Sequence, residues 1–331
     1  MKKILLVICM VAIVASMAFA QGQADKAMTI KLGHIRDAEH PTHKGALLFA
    51  DLVKEKTDGR ITVNVYPNSQ LGGIQEMFAQ MKTGDLELVY GGINTLAFIK
   101  GGEAFEITAI PFLYRDYEHM RKAMLSDEFK PLVAAAEQAT GVKILNITGD
   151  TAPRGLTANK KILSPADFKG LKIRTAASEV VLRVMKQLGA LPQQVPLADL
   201  YVSLKTGVVD AQENGAITVA NTSMFEVQKF YMKTDYIRDI ETFYMSPAFW
   251  DKLSDADKQA IRDASEEAGA LVTKLTNEQL QSAYQKLSEH MTVVTEPELR
   301  LGEIRAAIEG VFNDWEGVKW PAGLLEKIKN M

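Results

Sequence analysis

The sequence predicts an α/β protein of two lobes joined by one long helix. Three observations lead to this prediction: a length of 331 residues, strands and helices that alternate closely along the chain, and a helical pattern over residues 254–290. At roughly 150 residues per domain, this length is typical of two domains. Strands that alternate with helices in this way indicate mostly parallel sheets covered by helices.

The first half of the chain shows this alternation clearly. Apolar and polar residues alternate over residues 28–33 and 61–66, which predicts two strands, and a short apolar run predicts a third strand over residues 86–89. Apolar residues at helical spacing predict helices over residues 42–57 and 73–83, between these strands.

The same alternation returns after residue 140. Apolar runs predict strands over residues 142–146 and 171–174. Ser164 is followed by a proline and then by an acid three residues after the cap, which is typical of a helix start. Ser178 caps a further helix, and residues 198–206 form another.

Residues 254–290 carry the pattern of a single long helix. Ser254 and Asp257 form a capping-box start, and small and apolar residues follow at steps of three and four. At about 1.5 Å per residue such a helix is roughly 54 Å long, which exceeds the width of one domain. It either projects as a coiled coil or runs across both lobes. Because sustained heptads are lacking, we predict a helix that bridges the lobes.

The first twenty residues have the features of an export signal. Lys2 and Lys3 form a positive start, residues 4–14 are nearly all apolar, and alanines stand at positions 18 and 20. The apolar stretch is short for a membrane span, which needs about 20 residues. Cleavage after Ala20 would remove the only cysteine, Cys9. We therefore expect a secreted or periplasmic protein without thiols that is not inserted in the membrane after cleavage, and a retained N-terminal anchor is the alternative.

Composition and motifs exclude several function classes. Hydrophobic residues make up 47% and charged residues 24%, which excludes a disordered or fibrous chain. A formal net charge of -3 argues against a nucleic-acid-binding protein. Serine-hydrolase, zinc-protease, phosphate-loop and dinucleotide motifs are all absent. His40 and His43 are spaced like metal ligands, but Pro41 and the lack of a third ligand favour a capped helix start, and we predict no metal site.

An arginine stands at the end of a predicted strand. Arg174 follows the alternating residues 171–173, and a helix starts just beyond it at Ser178. Open α/β sheets bind ligands at the carboxyl ends of their strands, and a helix start offers backbone N–H groups to an anion. A guanidinium matches a carboxylate in bidentate geometry, which lysine cannot reproduce. A surface ion pair with a neighbouring acid is the alternative.

Residues 165–174, PADFKGLKIR, resemble the signature of the solute-binding proteins of TRAP (tripartite ATP-independent periplasmic) transporters. The other similar blocks are PNSQLG at 67–72, PFLYRD at 111–116, VDAQEN at 209–214, FEVQK at 225–229 and FWDKLS at 249–254. The blocks follow the family's order over essentially the whole chain after residue 20. The resemblance implies a periplasmic binding protein-like α/β fold, with two lobes around a cleft and a long helix spanning both. The lobes would be residues 27–150 plus 240–279 and residues 151–239 plus 280–331.

The resemblance also suggests site residues. It implies that Arg174 binds the carboxylate of the substrate, that Arg154 is a second arginine contacting the ligand, and that Asn214 bonds the carboxylate region or fixes the arginine. Glu76 matches an acidic position that faces ligand hydroxyls or amines. Two further positions, which vary with the substrate, are His34 and Asn94.

By this resemblance the protein is a periplasmic solute-binding subunit that captures a carboxylate-bearing organic acid and delivers it to the membrane permease subunits of a TRAP transporter. A sugar acid such as a uronate is favoured, because it needs one carboxylate anchor plus hydroxyl partners. A C4-dicarboxylate, bound at its two ends by Arg154 and Arg174, is the alternative. No cofactor is implied.

Two other classes of function remain alternatives. The first is a periplasmic sugar-acid lyase or isomerase that uses Glu76 or His34 as its base, which requires the base within hydrogen-bond reach of a substrate carbon. The second is a sensory ligand-binding module, which would usually be tethered to a membrane span.

Overall fold

The structure, a computed structural model, describes residues 27–331. The predicted export signal over residues 1–20 lies outside the described residues. Between residues 27 and 331 the chain forms two sheets, both flanked by helices, and this range contains no helix long and apolar enough to span a bilayer. The predicted α/β class with two lobes is confirmed.

The strands and helices are numbered in chain order. The strands are β1 (Met28–Gly33), β2 (Ile61–Tyr66), β3 (Leu88–Gly92), β4 (Lys143–Ile144), β5 (Arg154–Ala158), β6 (Lys172–Thr175), β7 (Leu191–Gln194), β8 (Ala211–Gly215), β9 (Phe230–Ile237), β10 (Glu241–Met245) and β11 (Thr292–Val294). The α-helices are α1 (Pro41–Lys56), α2 (Ile74–Thr83), α3 (Tyr117–Met124), α4 (Lys130–Thr140), α5 (Glu179–Gln187), α6 (Leu200–Lys205), α7 (Ala216–Asn221), α8 (Pro247–Trp250), α9 (Asp255–His290), α10 (Leu301–Ala307) and α11 (Leu324–Lys329).

The strands form two mixed sheets. Sheet I has the order β2-β1-β3-β10-β4, and sheet II has the order β11-β9-β5-β8-β6-β7. In sheet I, β1 pairs in parallel with β2 and β3, whereas β10 is antiparallel to both of its neighbours. In sheet II, β6 pairs in parallel with β7 and β8, whereas β5 is antiparallel to β8 and β9.

The expectation of mostly parallel sheets is therefore corrected to mixed sheets. A parallel pair needs a crossover connection, usually a helix, and the alternating strands and helices supply these connections. The antiparallel strands β5 and β10 each enter their sheet from the opposite lobe, so no helical crossover precedes them. No local sequence pattern indicates this exchange of strands between the lobes.

The chain crosses between the sheets at two segments that lie side by side. One crossing lies between β4 and β5, and the other lies between β9 and β10. Asp150 and Ile240 form an antiparallel bridge there. The backbone N–H of Glu241 donates to the carbonyl oxygen of Gly149 at 2.8 Å. The two crossings are thus hydrogen-bonded to each other.

The predicted long helix is a single unbroken helix of 36 residues, α9. Its N-cap is Ser254, whose hydroxyl oxygen accepts a hydrogen bond from the N–H of Asp257. Ile261 and Val272 pack into the core of sheet I together with α1 residues, whereas Leu287 packs with residues around α6 and α7. The prediction that this helix bridges both lobes is confirmed.

The C-terminal helix α11 lies against α3. His119 Nε2 is 2.8 Å from the carbonyl oxygen of Ile328, and Arg115 donates to the carbonyl oxygen of Lys329 at 3.0 Å. By its position, α11 falls in the range predicted for lobe II, whereas α3 falls in the range predicted for lobe I. The last helix therefore contacts the other lobe's range, and the lobe boundaries stay a prediction.

Candidate ligand-binding site

A cavity of about 550 Å³ lies between the two lobes. Small-molecule sites commonly enclose about 300–1,000 Å³, so this cavity suits a compact organic ligand. The carboxyl ends of β3, β6 and β8 reach it, as expected for a site in an α/β fold. Its charged lining residues are Arg36, Glu76, Arg154, Arg174, Asp199, Glu213, Asp239 and Glu241.

Arg174, the third residue of β6, is buried and has no acidic partner. The residue is 4% exposed, and its Nε donates to the carbonyl oxygen of Val195 at 2.8 Å. Within residues 27–331, no carboxylate lies within ion-pair distance of it. Burial lowers the pKa of Arg174 to about 10; Glu213 opposes this, whereas Arg154 and Arg36 add to it. The cavity therefore contains a cation that lacks an anion.

Arg154 also lines the cavity, but its guanidinium is already paired. It forms a bidentate ion pair with the buried carboxylate of Glu213, with Nη2 2.8 Å from Oε1, and the same Nη2 donates to the Glu213 carbonyl oxygen at 2.8 Å. Burial acts to lower the pKa of Arg154, but the charge and hydrogen bonds of Glu213 outweigh it and raise the pKa above its ordinary value. Glu213 thus already forms the bidentate ion pair that a ligand carboxylate would form with Arg154.

A third arginine, Arg36, forms a further ion pair at the cavity. Its Nε and Nη2 are each 3.2 Å from Oε1 of Glu241, the first residue of β10. Its Nη1 donates to the hydroxyl of Thr218 on α7, which joins the two lobes. The other carboxylate oxygen of Glu241, Oε2, is buried and has no hydrogen-bond partner in the described part of the chain.

Asp239 is the remaining buried acid of the lining. It lies between β9 and β10, and its Oδ1 accepts from the N–H of Ile240 at 3.0 Å and of Asn94 at 3.4 Å. Burial and the charge of Glu241 raise the pKa of Asp239 to about 7, although Arg154 and the two N–H groups oppose the rise. Four lining residues are not among those predicted from the sequence: Arg36, Glu213, Asp239 and Glu241.

Residues 32–316 match the DctP family, described as bacterial extracellular solute-binding protein, family 7. The chain belongs to this family. The resemblance to TRAP solute-binding proteins is thereby confirmed, and so is the periplasmic location, which this family shares. Its relatives are binding proteins, and no enzyme family is indicated.

Several named relatives of this family-7 protein are periplasmic binding proteins. The sialic acid-binding protein SiaP of Vibrio cholerae is 28% identical over 298 residues, 90% of this chain and 91% of that protein. The 2,3-diketo-L-gulonate-binding protein YiaO of Escherichia coli is 29% identical, with 83% of each chain covered. The C4-dicarboxylate-binding protein DctP of Rhodobacter capsulatus is 29% identical, over 90% of this chain and 88% of that protein.

Solved structures agree with the fold. A TRAP solute-binding protein of Roseobacter denitrificans with bound L-galactonate superposes with a TM-score of 0.85 at 26% identity, covering 92% of this chain and 99% of that chain. A protein from Polaromonas with bound D-erythronate gives a TM-score of 0.85 at 29% identity, covering 91% and 98%. A protein from Shewanella oneidensis with bound succinate gives 0.84 at 25% identity, covering 92% and 98%.

Five of the six expected site residues of this family-7 protein line the cavity: Arg174, Arg154, Asn214, Glu76 and Asn94. Asn214 is buried, and its Nδ2 donates to Gln212 Oε1 at 2.7 Å. Glu76 is exposed, and its Oε2 accepts the N–H of Gly73 at 2.7 Å, so that it caps α2.

The sixth residue, His34, does not line the cavity. Its fully buried side chain points toward α1, where its Nε2 lies 3.0 Å from Nδ1 of His43. Burial, followed by the charges of His43 and Arg36, lowers the pKa of His34 to about 3. His40 caps α1, as its Nδ1 accepts the N–H of Thr42 at 3.2 Å. Among residues 27–331, no three His, Cys, Asp or Glu side chains are grouped to bind a metal ion.

The backbone N–H groups at the start of α5 are already hydrogen-bonded to an acid of the protein itself. Glu106 accepts hydrogen bonds from the N–H groups of Glu179 and Val180, at 2.8 and 3.0 Å, and from the hydroxyl of Ser178 at 2.8 Å. The expectation that these N–H groups face a ligand is therefore wrong. Glu106 comes from a segment 73 residues earlier, which local sequence patterns do not reveal.

Proposed function

We propose that this protein captures a sugar acid in the cavity between its lobes and delivers it, chemically unchanged, to the membrane permease subunits of a TRAP transporter. The lobes, residues 27–150 plus 240–279 and residues 151–239 plus 280–331, close around the ligand by motion at the two crossing segments. Closure excludes water, which strengthens the hydrogen bonds inside.

The unpaired buried guanidinium of Arg174 carries this proposal. An uncompensated buried charge costs several kcal/mol, whereas a bidentate carboxylate supplies both the opposite charge and matching acceptors. A ligand carboxylate at Arg174 therefore removes a cost that the ligand-free protein bears. A cationic ligand would increase it.

The rest of the lining supports a ligand with hydroxyl groups. Asn94, Asn214, Asp239 and Glu241 offer polar atoms to the same cavity, and several relatives of known structure bind polyhydroxy monocarboxylates. Such an acid needs one cationic anchor, and Arg174 is the one arginine of the described lining without an acidic partner.

A C4-dicarboxylate is the second candidate, because one relative binds C4-dicarboxylates and another structure contains succinate. It would need Arg154 for its second carboxylate. Glu213 already binds that guanidinium in bidentate geometry, so the dicarboxylate would have to displace a buried protein carboxylate. The sugar acid is therefore favoured.

Catalysis by His34 has no geometric support, and Glu76, although it lines the cavity, is already hydrogen-bonded as the cap of α2. Glu76 is also exposed, and His34 lies outside the cavity with its pKa lowered by burial. A general base must lie within hydrogen-bond reach of the proton that it removes. Capture without reaction is thus the better account.

A thermal-shift screen of the purified protein tests the proposal. The acids are uronates, aldonates, C4-dicarboxylates, keto acids and sialic acid, each recovered afterwards and analysed by mass spectrometry. A ligand at about a hundredfold excess over its Kd adds about 2.7 kcal/mol of stability. We expect at least one sugar acid to raise the Tm and to be recovered intact. No shift with any acid, or consumption of the stabilising acid, contradicts the proposal.

A further inference from the structure

The buried charges of the cavity balance, but two of them have no partner. The buried or largely buried charged residues of the lining are the three arginines Arg36, Arg154 and Arg174 and the three acids Glu213, Asp239 and Glu241. Glu241 pairs with Arg36, and Glu213 pairs with Arg154. In the described part of the chain, Arg174 and Asp239 are left without an ion pair. The two exposed acids of the lining, Glu76 and Asp199, add no positive charge.

Asp239 has one oxygen that no protein group uses. The residue is 4% exposed, and both of its backbone donors, the N–H groups of Asn94 and Ile240, bind Oδ1. Oδ2 accepts no hydrogen bond from residues 27–331. It packs against Gly92, where any side chain would overlap it, so a glycine makes space for this carboxyl.

A second unused oxygen lies on the neighbouring acid. Glu241 is two residues beyond Asp239 and lines the same cavity. Arg36 binds its Oε1, whereas its Oε2 is buried without a partner in the described residues. A buried acceptor without a donor is costly, and Oε2 of Glu241 is such an acceptor. Because Oδ2 of Asp239 on the same wall also accepts no hydrogen bond from the described residues, both oxygens are free to accept from donors that arrive with the ligand.

We propose that Asp239, with Glu241 beside it, is a specificity position that accepts hydrogen bonds from hydroxyl groups of an acid whose carboxylate is bound by Arg174, and that rejects a second carboxylate. This inference rests on the proposed function, because it needs an acid at Arg174. It adds the residues that separate monocarboxylate sugar acids from dicarboxylates of the same length.

Asp239 distinguishes a hydroxyl from a second carboxylate because only the hydroxyl can donate a hydrogen bond. A hydroxyl donates to an acidic oxygen, whereas a second carboxylate offers only acceptors and brings a like charge next to Asp239. A site with unpaired buried polar groups rejects a ligand that leaves those groups unpaired. The selected ligand therefore has a carboxylate at one end and hydroxyl groups at the other.

The protonation of Asp239 provides a second readout. Burial raises the pKa of Asp239 to about 7, and the charged or titratable groups that face it are Glu241, Arg154, Tyr114 and Tyr244. Below that pH the carboxyl carries a proton, which it can donate to a carboxylate. Rejection of a second carboxylate should therefore be stronger at pH 8 than at pH 5.5.

Two pairs of acids test the proposal by calorimetric titration at pH 8. L-galactonate is compared with galactarate, and D-erythronate with tartrate, since the members of each pair differ in whether the far end is a hydroxymethyl group or a carboxylate. The variant is Asp239→Asn, in which the amide oxygen keeps the two N–H bonds and an NH₂ group replaces Oδ2. The matched control is Asp235→Asn, an exposed aspartate outside the cavity.

For the pair of acids that the wild-type protein binds, we expect its Kd for the monocarboxylate to be at least about tenfold lower than its Kd for the dicarboxylate. Asp239→Asn should reduce this ratio of Kd values by about tenfold. Asp235→Asn should keep the wild-type ratio. If Asp239→Asn folds poorly, the wild-type ratio at pH 8 against pH 5.5 provides the test without a variant.

The specificity proposal is overturned, while the proposed function stands, if the ratio of the two Kd values is the same in Asp239→Asn as in the wild-type protein. It is also overturned if the wild-type ratio is the same at pH 8 and at pH 5.5. If neither the wild-type protein nor either variant binds any acid in these titrations or in the thermal screen, the proposed function fails and this inference fails with it.

Discussion

Gly269 of α9 lies so close to the carbonyl oxygen of Thr148 that a β-carbon at position 269 would overlap that oxygen. Thr148 belongs to the first crossing between the sheets, and α9 contacts this segment twice more. The Thr148 hydroxyl donates to Glu266, and the N–H of Asp150 donates to the hydroxyl of Thr273 at 3.0 Å. The long helix is therefore attached directly to the segment on which lobe movement would depend.

The close approach predicts a cost for Gly269→Ala. The added methyl must displace the crossing segment, and overpacking of this kind typically costs about 1–3 kcal/mol. Gly302→Ala in α10 is the matched control, because nothing lies within 4 Å of its β-carbon position, and alanine there should be neutral or stabilising by up to about 1 kcal/mol. Urea unfolding measures both. Equal stability of the two variants would show that the contact imposes no constraint.

The ion pair inside the cavity predicts a large effect of Glu213→Gln. Removing one partner of a buried pair leaves Arg154 as an uncompensated charge, so the free energy of unfolding should fall by about 3–5 kcal/mol. Glu298→Gln removes a half-exposed partner of Lys161 and should cost less than about 1 kcal/mol. Thermal or urea unfolding compares them, and similar losses in both would contradict the assignment of a buried pair.

Asp239 should make the stability of the ligand-free protein depend on pH. Its pKa rises from 3.8 to about 7 on folding, so between these values the folded state holds a proton that the unfolded state has released. The free energy of unfolding therefore falls as the pH rises through this window, by a few kcal/mol, and levels off above it. Relative to Asp239→Asn, the wild-type protein should lose stability from pH 4 to pH 8. A constant difference in urea unfolding would refute the raised pKa.

His34 should affect stability at low pH and leave binding unchanged. Its pKa falls from 6.5 to about 3 on folding, so the unfolded state binds a proton that the folded state excludes as the pH drops below 6.5. The wild-type protein should therefore lose stability toward pH 4 more steeply than His34→Gln. Ligand affinity at pH 8 should agree within about threefold, because His34 lies outside the cavity. A hundredfold loss of affinity would place His34 in the site after all.

Local patterns were enough to predict some features of the molecule. The capping residues and apolar spacing of α9 predicted both its length and its bridging role, because these signals lie within the helix itself. Arg174 was identified as a binding residue from its place at a strand end and from the resemblance, and the structure places it in the cavity.

The remaining features depend on contacts between distant segments. Arg154 and Glu213 are 59 residues apart, and Glu106 reaches the start of α5 from 73 residues away. Nothing in either local segment signals these partners. The strand-end position of Arg36, just beyond β1, was the one signal that could have added it to the predicted site.

The central claim is that Arg174 anchors the carboxylate of a sugar acid. Calorimetric titration of the wild-type protein and of Arg174→Lys, with the acid found in the thermal screen, tests it most directly. Arg183→Lys is the control, since Arg183 pairs with Asp314 at the surface. Lysine keeps the charge and loses the bidentate fork, so we predict a Kd raised by about a hundredfold or more in Arg174→Lys and unchanged in Arg183→Lys. Equal affinity of all three proteins for the acid would contradict the account.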